Sequence, residues 1–236
     1  MKCTAENDII ITEETKPGKA RKNIMNIEKI LPADIEKRSM EIIESEIGDM
    51  SAFSEHEKLI VKRCVHTTAD FDYKENLRFS ENAAEHGIAA LNAGAVIVTD
   101  TQMALAGISK PACRKFGCEL HCFMSDPDVA EEAKKRGVTR AVVSVDKAAE
   151  ILADRTVIYA VGNAPTALIR LHELITAHEF SPALIIGAPV GFVNVIEAKK
   201  LIMTAGVPYI VADGRKGGST VAAAIVNAML YTIFQR

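Results

Sequence analysis

Three glycine-rich segments each follow a short apolar run of the kind that forms a buried β-strand. The breaks fall at Gly162-Asn163, at residues 187–192 and at residues 214–220. In a parallel sheet, ligands bind at the carboxyl ends of the strands, and a helix that begins there directs unpaired backbone N–H groups at the ligand. The three segments therefore predict a single binding rim along one edge of a sheet.

The segment 214–220 carries the clearest chemistry for binding an anion. Its sequence, Gly-Arg-Lys-Gly-Gly-Ser-Thr, places the cations Arg215 and Lys216 beside flexible backbone and the hydroxyls of Ser219 and Thr220. Such a set suits carboxylates as well as phosphates. The spacing matches neither a phosphate-binding P-loop nor a dinucleotide-binding glycine motif. A solvated turn would explain the same residues, and this alternative stays open.

His66 is the candidate acid or base. Ser54 and Glu57 match a capping box, which predicts the start of a helix that carries His66 near its end. Two threonines and the carboxylates of Asp70 and Asp72 follow closely enough to orient an imidazole. The alternative is a histidine that only packs against or caps its helix. No Ser-His-Asp set, zinc-protease motif or carboxylate pair with an evident role accompanies it.

Apolar runs and helical patterns alternate along the chain, and this alternation predicts the fold. Strands are predicted over residues 95–99, 119–124, 157–161, 183–187 and 209–213, and helices over 83–91, 129–136, 141–152, 166–177, 193–205 and 220–234. Short strands joined by helices of this length favour an α/β fold with three α/β/α layers and a mainly parallel sheet. The crossover connections should be right-handed.

The composition is that of an ordinary globular protein. The chain has 236 residues, 48% of them hydrophobic, and a formal net charge of −3, which argues against an electrostatic nucleic-acid binder. No apolar run approaches the roughly 20 residues that span a bilayer, and residues 1–8 are too polar to begin a signal peptide. We therefore expect a cytoplasmic protein with neither a membrane nor a nucleic acid as its partner.

The five cysteines are expected to be reduced thiols. Their number is odd, and the chain shows no export signal. Cys118-x-x-His121-Cys122 has the spacing of half a metal site, but no second pair follows. Cysteine there suits a small apolar position in the strand predicted over 119–124. We therefore expect no bound metal.

The first thirty residues differ from the rest. A charged stretch interrupted by Pro17-Gly18 fills much of this part, and only Ile9–Ile11 favours a strand. We expect an arm over residues 1–30, mobile or loosely docked, followed by one α/β domain over 31–236. The last helix, 220–234, is apolar on nearly every side. Either a subunit interface or burial within one chain would explain its composition.

Four motifs resemble those of the precorrin-8X methylmutase family of cobalamin biosynthesis, and they occur in the family's order. The motifs are Val65-His-Thr-Thr-Ala-Asp-Phe71, Val161-Gly-Asn-Ala-Pro-Thr-Ala-Leu168, Gly187-Ala-Pro-Val-Gly-Phe192 and Gly214-Arg-Lys-Gly-Gly-Ser219. The likeness extends over residues 31–236 and includes Ser125–Pro127 and Thr139-Arg140. Any one motif alone would be weak, whereas four in the right order are specific.

The resemblance implies an isomerase that moves a methyl group from C-11 to C-12 of a late corrinoid precursor. The product would be hydrogenobyrinate or, where cobalt is inserted first, cobyrinate. In the family, the histidine that matches His66 is taken to be a general acid, which protonates a ring nitrogen so that the methyl group migrates in a 1,5-sigmatropic shift. No organic cofactor is implied. Whether the substrate already holds cobalt stays open.

The resemblance also implies a set of residues that hold the substrate through its acetate and propionate side chains. They are Lys110, Arg140, Gly162, Asn163, Gly191, Arg215, Lys216, Gly217, Gly218 and Ser219. The cations would pair with carboxylates, and Gly162 and Asn163 would offer backbone and amide donors. Members of the family form homodimers with the site near the subunit boundary, which would account for the apolar last helix.

Two other functions remain as alternatives. A non-catalytic tetrapyrrole carrier could use the same rim without any proton transfer. A nucleotide-binding α/β enzyme would also fit the fold class, but it is disfavoured because the phosphate-binding motifs are missing.

Overall fold

The structure is a computed structural model that describes residues 8–12 and 22–234, with side chains described from residue 27 onward. The chain divides into two compact units, residues 1–42 and residues 43–236. Each unit is described by itself.

The first unit contains a β-hairpin. β1 (Asp8–Thr12) pairs antiparallel with β2 (Lys22–Asn26). The sequence favours only a short strand over Ile9–Ile11, because the lysine and asparagines of β2 obscure its apolar pattern. A 3-10 turn at Pro32–Asp34 leads into α1 (Ile35–Glu46), which continues into the second unit. Residues 1–7 and 13–21 of the predicted arm lie outside the described residues.

The second unit is built on a six-stranded sheet. Its strands are β3 (Leu77–Phe79), β4 (Val96–Thr99), β5 (Glu119–His121), β6 (Val157–Val161), β7 (Leu184–Gly187) and β8 (Tyr209–Ala212). Their order across the sheet is β3-β8-β7-β6-β4-β5. Neighbouring strands are parallel except β3, which runs antiparallel to β8 at one edge. The predicted α/β fold with a mainly parallel sheet is confirmed.

Helices cover both faces of the sheet. They are α2 (Glu55–Thr68), α3 (Tyr73–Asn76), α4 (Ala83–Asn92), α5 (Gln102–Gly107), α6 (Lys110–Phe116), α7 (Pro127–Arg136), α8 (Arg140–Ile151), α9 (Pro165–Thr176), α10 (Val195–Ile202) and α11 (Ser219–Ile233). One face packs against a layer formed by α7 to α10. The opposite face contacts α4 and α11, and α2 and α5 pack against α11. These contacts confirm the predicted three-layer arrangement.

The alternation of side chains along the strands explains how both faces are filled. Val96 and Val98 of β4 belong to the core beneath α7 to α10, together with Val157, Tyr159 and Val161 of β6. Successive side chains of a strand point to opposite faces, so the residues between them pack on the other layer. Every residue of β6 is buried, as expected for a central strand of a parallel sheet covered on both sides.

The last helix, α11, lies inside the chain rather than on its surface. Every residue from Val221 to Val226 is buried in the single chain. The helix contacts α2, α4 and α5 as well as strands of the sheet. Of the two explanations for its apolar composition, burial within one chain is therefore correct. A subunit interface is not needed to account for it, and the homodimer stays a prediction.

Four short elements lie where the apolar residues of the sequence show no clear helical or strand periodicity. α3 and β3 fill the stretch after α2, and α5 and α6 fill the stretch between β4 and β5. The helices α5 and α6 have six and seven residues, which is too short for an apolar stripe to repeat. Tertiary contacts rather than periodicity fix such elements.

Two predicted elements are shorter than expected. The strand predicted over 119–124 ends at His121, because the chain turns at Cys122 into a 3-10 turn that buries Phe123. The helix predicted over 193–205 begins only at Val195, since Asn194 has a φ of 58° and cannot be part of a right-handed helix. Residues 193–194 are therefore left outside that helix, and residues 203–205 also fall outside it because it ends at Ile202.

Four of the five cysteines lie within the described residues. Cys64, Cys113, Cys118 and Cys122 are free thiols, and Cys3 lies outside the described residues. Within residues 8–12 and 22–234, no helix has the length and apolar character needed to cross a membrane.

Asn227 of α11 fixes the link between α5 and α6. Its side-chain oxygen accepts a hydrogen bond from the Ser109 N–H at 2.8 Å, and its amide nitrogen donates to the Gly107 carbonyl at 2.9 Å. We expect Asn227→Ala to lower the free energy of unfolding by roughly 1–3 kcal/mol, because both backbone groups lose their partner. Urea titration measures this change. Asn92→Ala, at an exposed asparagine, is the control, and equal stability of the two variants would contradict the role of Asn227.

Candidate active site

The carboxyl ends of the central strands reach the same level and join into one surface. Val161 of β6 lies opposite Gly187 of β7, which in turn lies opposite Val211 of β8. Beyond the strands, the Ala188 N–H donates to the Val161 carbonyl at 2.8 Å, and the Gly218 N–H donates to the Ala188 carbonyl at 2.7 Å. The three glycine-rich segments therefore form the single rim that the sequence predicts.

Asp100 lies beneath this rim and was not among the predicted site residues. It directly follows β4 and is 1% exposed. One carboxylate oxygen accepts a hydrogen bond from the Gly162 N–H at 2.7 Å. The other accepts from the N–H groups of Asn163 at 2.8 Å and Ala164 at 2.7 Å. A single side chain thus binds three consecutive backbone donors at the break between β6 and α9.

The electrostatics of Asp100 combine two opposing effects. Burial raises the pKa of its carboxyl, and the three backbone N–H hydrogen bonds act to lower it. All three contacts are N–H donors, which is the arrangement that an ionised carboxylate prefers. The start of α9, which has no side-chain cap of its own, adds a favourable dipole. Asp100 therefore supplies from a neighbouring strand the cap that α9 lacks.

This arrangement corrects one expectation about Gly162 and Asn163. The sequence predicts that their backbone N–H groups point at a ligand. In the structure these groups are bonded to Asp100 instead. What remains for a ligand at this position is the exposed side-chain amide of Asn163. The sequence could not reveal this, because Asp100 is more than sixty residues away along the chain.

Glycine is required at Gly162 for close packing. A Cβ atom there would lie 2.6 Å from the Cα atom of Ser219. No real side chain tolerates that distance to backbone, so the break after β6 and the start of α11 can approach only because residue 162 is glycine. Gly217 has a similar role, since a Cβ there would collide with the Ala188 carbonyl. These glycines hold the rim together by letting its backbone segments touch.

Thr101 makes the second connection from the end of β4. Its hydroxyl lies 2.7 Å from the Ser219 hydroxyl and also accepts the N–H of Ala104, which caps the start of α5. Ser219 is therefore bonded within the protein at the first residue of α11. Asp100 and Thr101, adjacent in sequence, join the end of β4 to two other parts of the rim.

Lys199 supports the loop 214–216 from below. It is 0% exposed, and its ammonium donates to the carbonyls of Gly214 and Lys216, both at 2.8 Å. Burial lowers the pKa of Lys199 to about 8, and the nearby Asp213 opposes this shift. The sequence offers one signal for it, a lysine at a core position of the amphipathic helix that follows β7.

Lys216 connects the rim to the helix that carries His66. Its ammonium lies 2.6 Å from a carboxylate oxygen of Asp70 and 2.5 Å from one of Asp72. The lysine lowers the pKa of Asp70, and the two carboxylates raise the pKa of Lys216. The family resemblance implies that Lys216 binds carboxylates of the substrate, but the structure pairs it with carboxylates of the protein. Both acids follow the end of α2.

His66 lies in the last turn of α2 and is exposed. The helix ends just after it, where Ala69 adopts a φ of 53° and donates its N–H to the Val65 carbonyl at 2.7 Å. Thr68 bonds to the Cys64 carbonyl instead of to the imidazole. In the described part of the chain, no hydrogen bond reaches the His66 ring. Its nitrogens are therefore open to a ligand.

An exposed aromatic residue borders the cationic loop. Phe192 follows β7 and is 84% exposed, and its neighbour Val193 is also exposed. The guanidinium carbon of Arg215 lies 5.7 Å from the centre of the Phe192 ring, within the range of a cation–π contact. The Gly191 N–H donates to the Arg215 carbonyl at 3.2 Å. The segments after β7 and β8 thus contact each other through backbone and side chain.

The other two predicted cations differ in their relation to the rim. Arg140 is exposed and begins α8, directly after Thr139, whose hydroxyl lies 2.9 Å from that of Thr166 in the first turn of α9. Arg140 therefore stands beside the rim. Lys110 donates to the Ala106 carbonyl at 2.7 Å and to the carbonyl before it. This places Lys110 at the end of α5 that faces away from Thr101.

The cysteine and histidine segment after α6 has packing contacts of its own. The Cys118 thiol donates to the Leu91 carbonyl at 3.2 Å, and burial raises its pKa to about 11. The His121 ring stacks on Phe123 with their centres 5.6 Å apart. Across the described ranges, no three potential ligands gather into a metal site.

The parallel sheet, the polar rim at its carboxyl edge and the open imidazole beside it define the class of this protein. These are the features of an α/β enzyme whose ligand-binding surface lies at the carboxyl edge of its sheet.

The chain belongs to the precorrin-8X methylmutase family, whose sequence model matches residues 34–232. It is therefore an isomerase of cobalamin biosynthesis, as the sequence motifs indicate. It is 43% identical over 206 residues to the cobalt-precorrin-8 methylmutase of Leptospira interrogans, covering 85% of this chain and 93% of that protein. It is 39% identical over 200 residues to the precorrin-8X methylmutase of Pseudomonas aeruginosa, covering 83% and 93%.

A solved structure supports the same assignment. The crystal structure of a precorrin-8X methylmutase from Thermus thermophilus is 42% identical in sequence and superimposes with a TM-score of 0.77. The match covers 84% of this chain and 96% of that one. The fold described above is therefore that of the family.

We expect Asp100→Asn to destabilise the protein although the two side chains have the same shape. An amide presents one oxygen and one N–H2 group, so at least one of the three backbone donors loses its acceptor. The free energy of unfolding should fall by roughly 1–3 kcal/mol, as measured by urea titration. Asp154→Asn, at an exposed aspartate, is the control. If Asp100→Asn matched the control, Asp100 would not hold the break after β6.

Lys199 should make stability depend on pH. Its pKa in the folded state is about 8, below the roughly 10.4 of a free lysine. Between these values the unfolded state binds more protons, so the free energy of unfolding should rise with pH, by up to roughly 3 kcal/mol. Urea titrations from pH 7 to pH 10 should show the free energy of unfolding of the wild-type chain rising relative to that of Lys199→Met. The comparison is needed because burial raises the pKa of the Cys64 and Cys118 thiols in both proteins, and this lowers the stability of both at high pH. A constant difference between the two proteins would contradict this pKa.

Proposed function

We propose that this enzyme moves a methyl group from C-11 to C-12 of precorrin-8 or its cobalt-containing form, giving hydrogenobyrinate or cobyrinate. His66 acts as the general acid in this reaction. The family assignment supports the substrate class, and the position of His66 supports its role.

One observation carries the proposal. The ion pairs of Lys216 with Asp70 and Asp72 tie the end of α2 to the rim. His66 precedes Asp70 by four residues along the chain, and its ring is exposed with no hydrogen bond from the described residues. A ligand lying on the rim would thus meet an imidazole that is free to bond to it. Holding the acid and the ring in one geometry converts binding energy into orientation.

In this mechanism the imidazolium of His66 lends a proton to a ring nitrogen of the corrinoid. Protonation withdraws electrons from the ring and allows the methyl group to migrate to the neighbouring carbon. Substrate and product are isomers, so the proton leaves the ring again as the product forms, and none is consumed. General acid catalysis of this kind typically contributes a factor of 10²–10⁴.

The substrate contacts that we propose follow from which groups are still available. Arg215 and Arg140 pair with peripheral carboxylates, and the Asn163 amide donates to one of them. Lys110, which the family resemblance also implies, is bonded to the carbonyls of Leu105 and Ala106, so it is left out of the proposed contacts. The glycines of the rim, Gly162, Gly191, Gly217 and Gly218, form its floor. Lys216 and Ser219 are bonded within the protein and act by positioning their loop. A polycarboxylated ring suits a rim with several cations.

Three further features remain predictions from the sequence and the family resemblance. They are a homodimer with the site near the subunit boundary, a cytoplasmic location, and an arm over residues 1–30 beside one domain over 31–236. Sedimentation velocity of the full chain tests the first of these.

We expect His66→Ala to lower the rate of conversion at least 100-fold while the affinity for the corrinoid product stays within about threefold. The loss follows because no other proton donor replaces the imidazole. Conversion is followed by the visible spectrum with cobalt-free and cobalt-containing precursor in parallel. His86→Ala, at an exposed histidine on α4, is the matched control.

Each outcome of this experiment is decisive. Full turnover by His66→Ala would remove His66 from the reaction. A wild-type protein that binds the precursor, shifts its spectrum and returns it as the same isomer would be a carrier rather than an enzyme.

A further inference from the structure

The three peptide groups around Arg215 are all restrained by hydrogen bonds. Lys199 holds the carbonyls of Gly214 and Lys216, both at 2.8 Å. The carbonyl of Arg215 itself accepts the Gly191 N–H at 3.2 Å. The backbone on each side of Arg215 is therefore fixed, although the residue is exposed.

Lys199 is an unusual choice for the position it occupies. The residue is 0% exposed on α10, where the neighbouring inward positions Ala198 and Ile202 are apolar. A buried ammonium is costly unless its donors are bonded, so an apolar side chain would pack there more favourably. An apolar side chain could not bond to carbonyls. The hydrogen bonds to the loop are therefore the reason for a lysine at this site.

The side chain of Arg215 is restrained as well. Its guanidinium lies over the ring of Phe192, 5.7 Å from the ring centre. It makes no hydrogen bond to a carboxylate within the described residues, in contrast to Lys216, which bonds to two. Arg215 is thus a cation that the fold holds in place and leaves available. Such preorganisation reduces the entropy lost on binding.

We propose that Lys199 is a positioning residue that holds Arg215 ready to bind a side-chain carboxylate of the corrinoid. This inference rests on the proposed function, because it takes the corrinoid to be the ligand of the rim. Lys199 touches neither the substrate nor the reacting atoms and acts through the loop 214–216.

The test is a double-mutant cycle on affinity. The dissociation constant for hydrogenobyrinate is measured by absorbance titration for the wild-type chain, Lys199→Met, Arg215→Ala and the double variant. Lys199→Met should raise the dissociation constant roughly tenfold, because the released loop must be ordered again on binding. In the Arg215→Ala background the same substitution should change it less than about twofold. Lys200→Met, at the exposed neighbouring lysine, is the matched control.

The kinetic constants separate positioning from loss of structure. A positioning role predicts that Lys199→Met raises KM more than it lowers kcat. Loss of folded enzyme would lower the apparent kcat and leave KM unchanged. Equal effects of Lys199→Met with and without Arg215 would overturn the proposal, as would a dissociation constant equal to that of the wild type.

A second variant serves if Lys199→Met does not fold. Lys199→Gln keeps an N–H2 donor that can reach one of the two carbonyls, and it should give a smaller, intermediate effect in the same cycle. The wild-type chain separates this inference from the proposed function. If it neither binds nor converts the corrinoid, the proposed function fails. If it does both and Lys199→Gln binds like the wild type, only the role of Lys199 fails.

Discussion

The hydrogen bonds of the Asp100 carboxylate with Gly162, Asn163 and Ala164 solve the main physical problem of this rim. A parallel strand that ends in a sharp break exposes several backbone N–H groups at a position that is buried from water on most sides. If a ligand supplied their acceptors, the unliganded protein would carry unsatisfied donors. Asp100 satisfies them from the end of the neighbouring strand β4, so the backbone donors of the break after β6 have their acceptors without a ligand.

The hydrogen bonds to Asp100 also limit which groups of the site can bind a ligand. Because the backbone of the β6 break is bonded inside the protein, binding depends on side chains and on the segments that follow β7 and β8. Those segments approach closely only through glycine, as at Gly162. Lys199 and Lys216 then fix the cationic loop from below and from the side. The floor of the site is therefore ordered without the substrate, and the side chains of Arg215 and His66 remain available to bind it.

The sequence predicts the architecture better than it predicts the connections within the site. Alternating strands and helices are local patterns, so the parallel sheet and its two helical layers follow from them. Helices of one or two turns, such as α5, do not show a period and depend on a distant partner, Asn227. His66 and Arg215 are found through motifs. Asp100 and Lys199 are not, because their partners lie 62 and 15 residues away along the chain.

Two signals in the sequence could have pointed to these residues. Asp100 directly follows a buried strand, where a carboxylate lies at the ligand-binding edge of the sheet. Lys199 occupies a core position of an amphipathic helix, where a charged side chain is rare unless it has a bonding partner. Neither signal identifies the partner, and the partner decides whether a polar residue binds the ligand or the protein. Lys216 shows the difference, since its charge is directed to Asp70 and Asp72 rather than left open like that of Arg215.

The central claim is that a corrinoid lies on this rim with one face toward His66. A crystal structure of the full chain with hydrogenobyrinate bound tests it directly. We predict a ring nitrogen or the C-11 to C-12 edge close to the imidazole, with a hydrogen bond of roughly 2.6–3.2 Å, and the three bonds of Asp100 unchanged. A corrinoid bound elsewhere, or bound on the rim with His66 out of reach, would contradict the account.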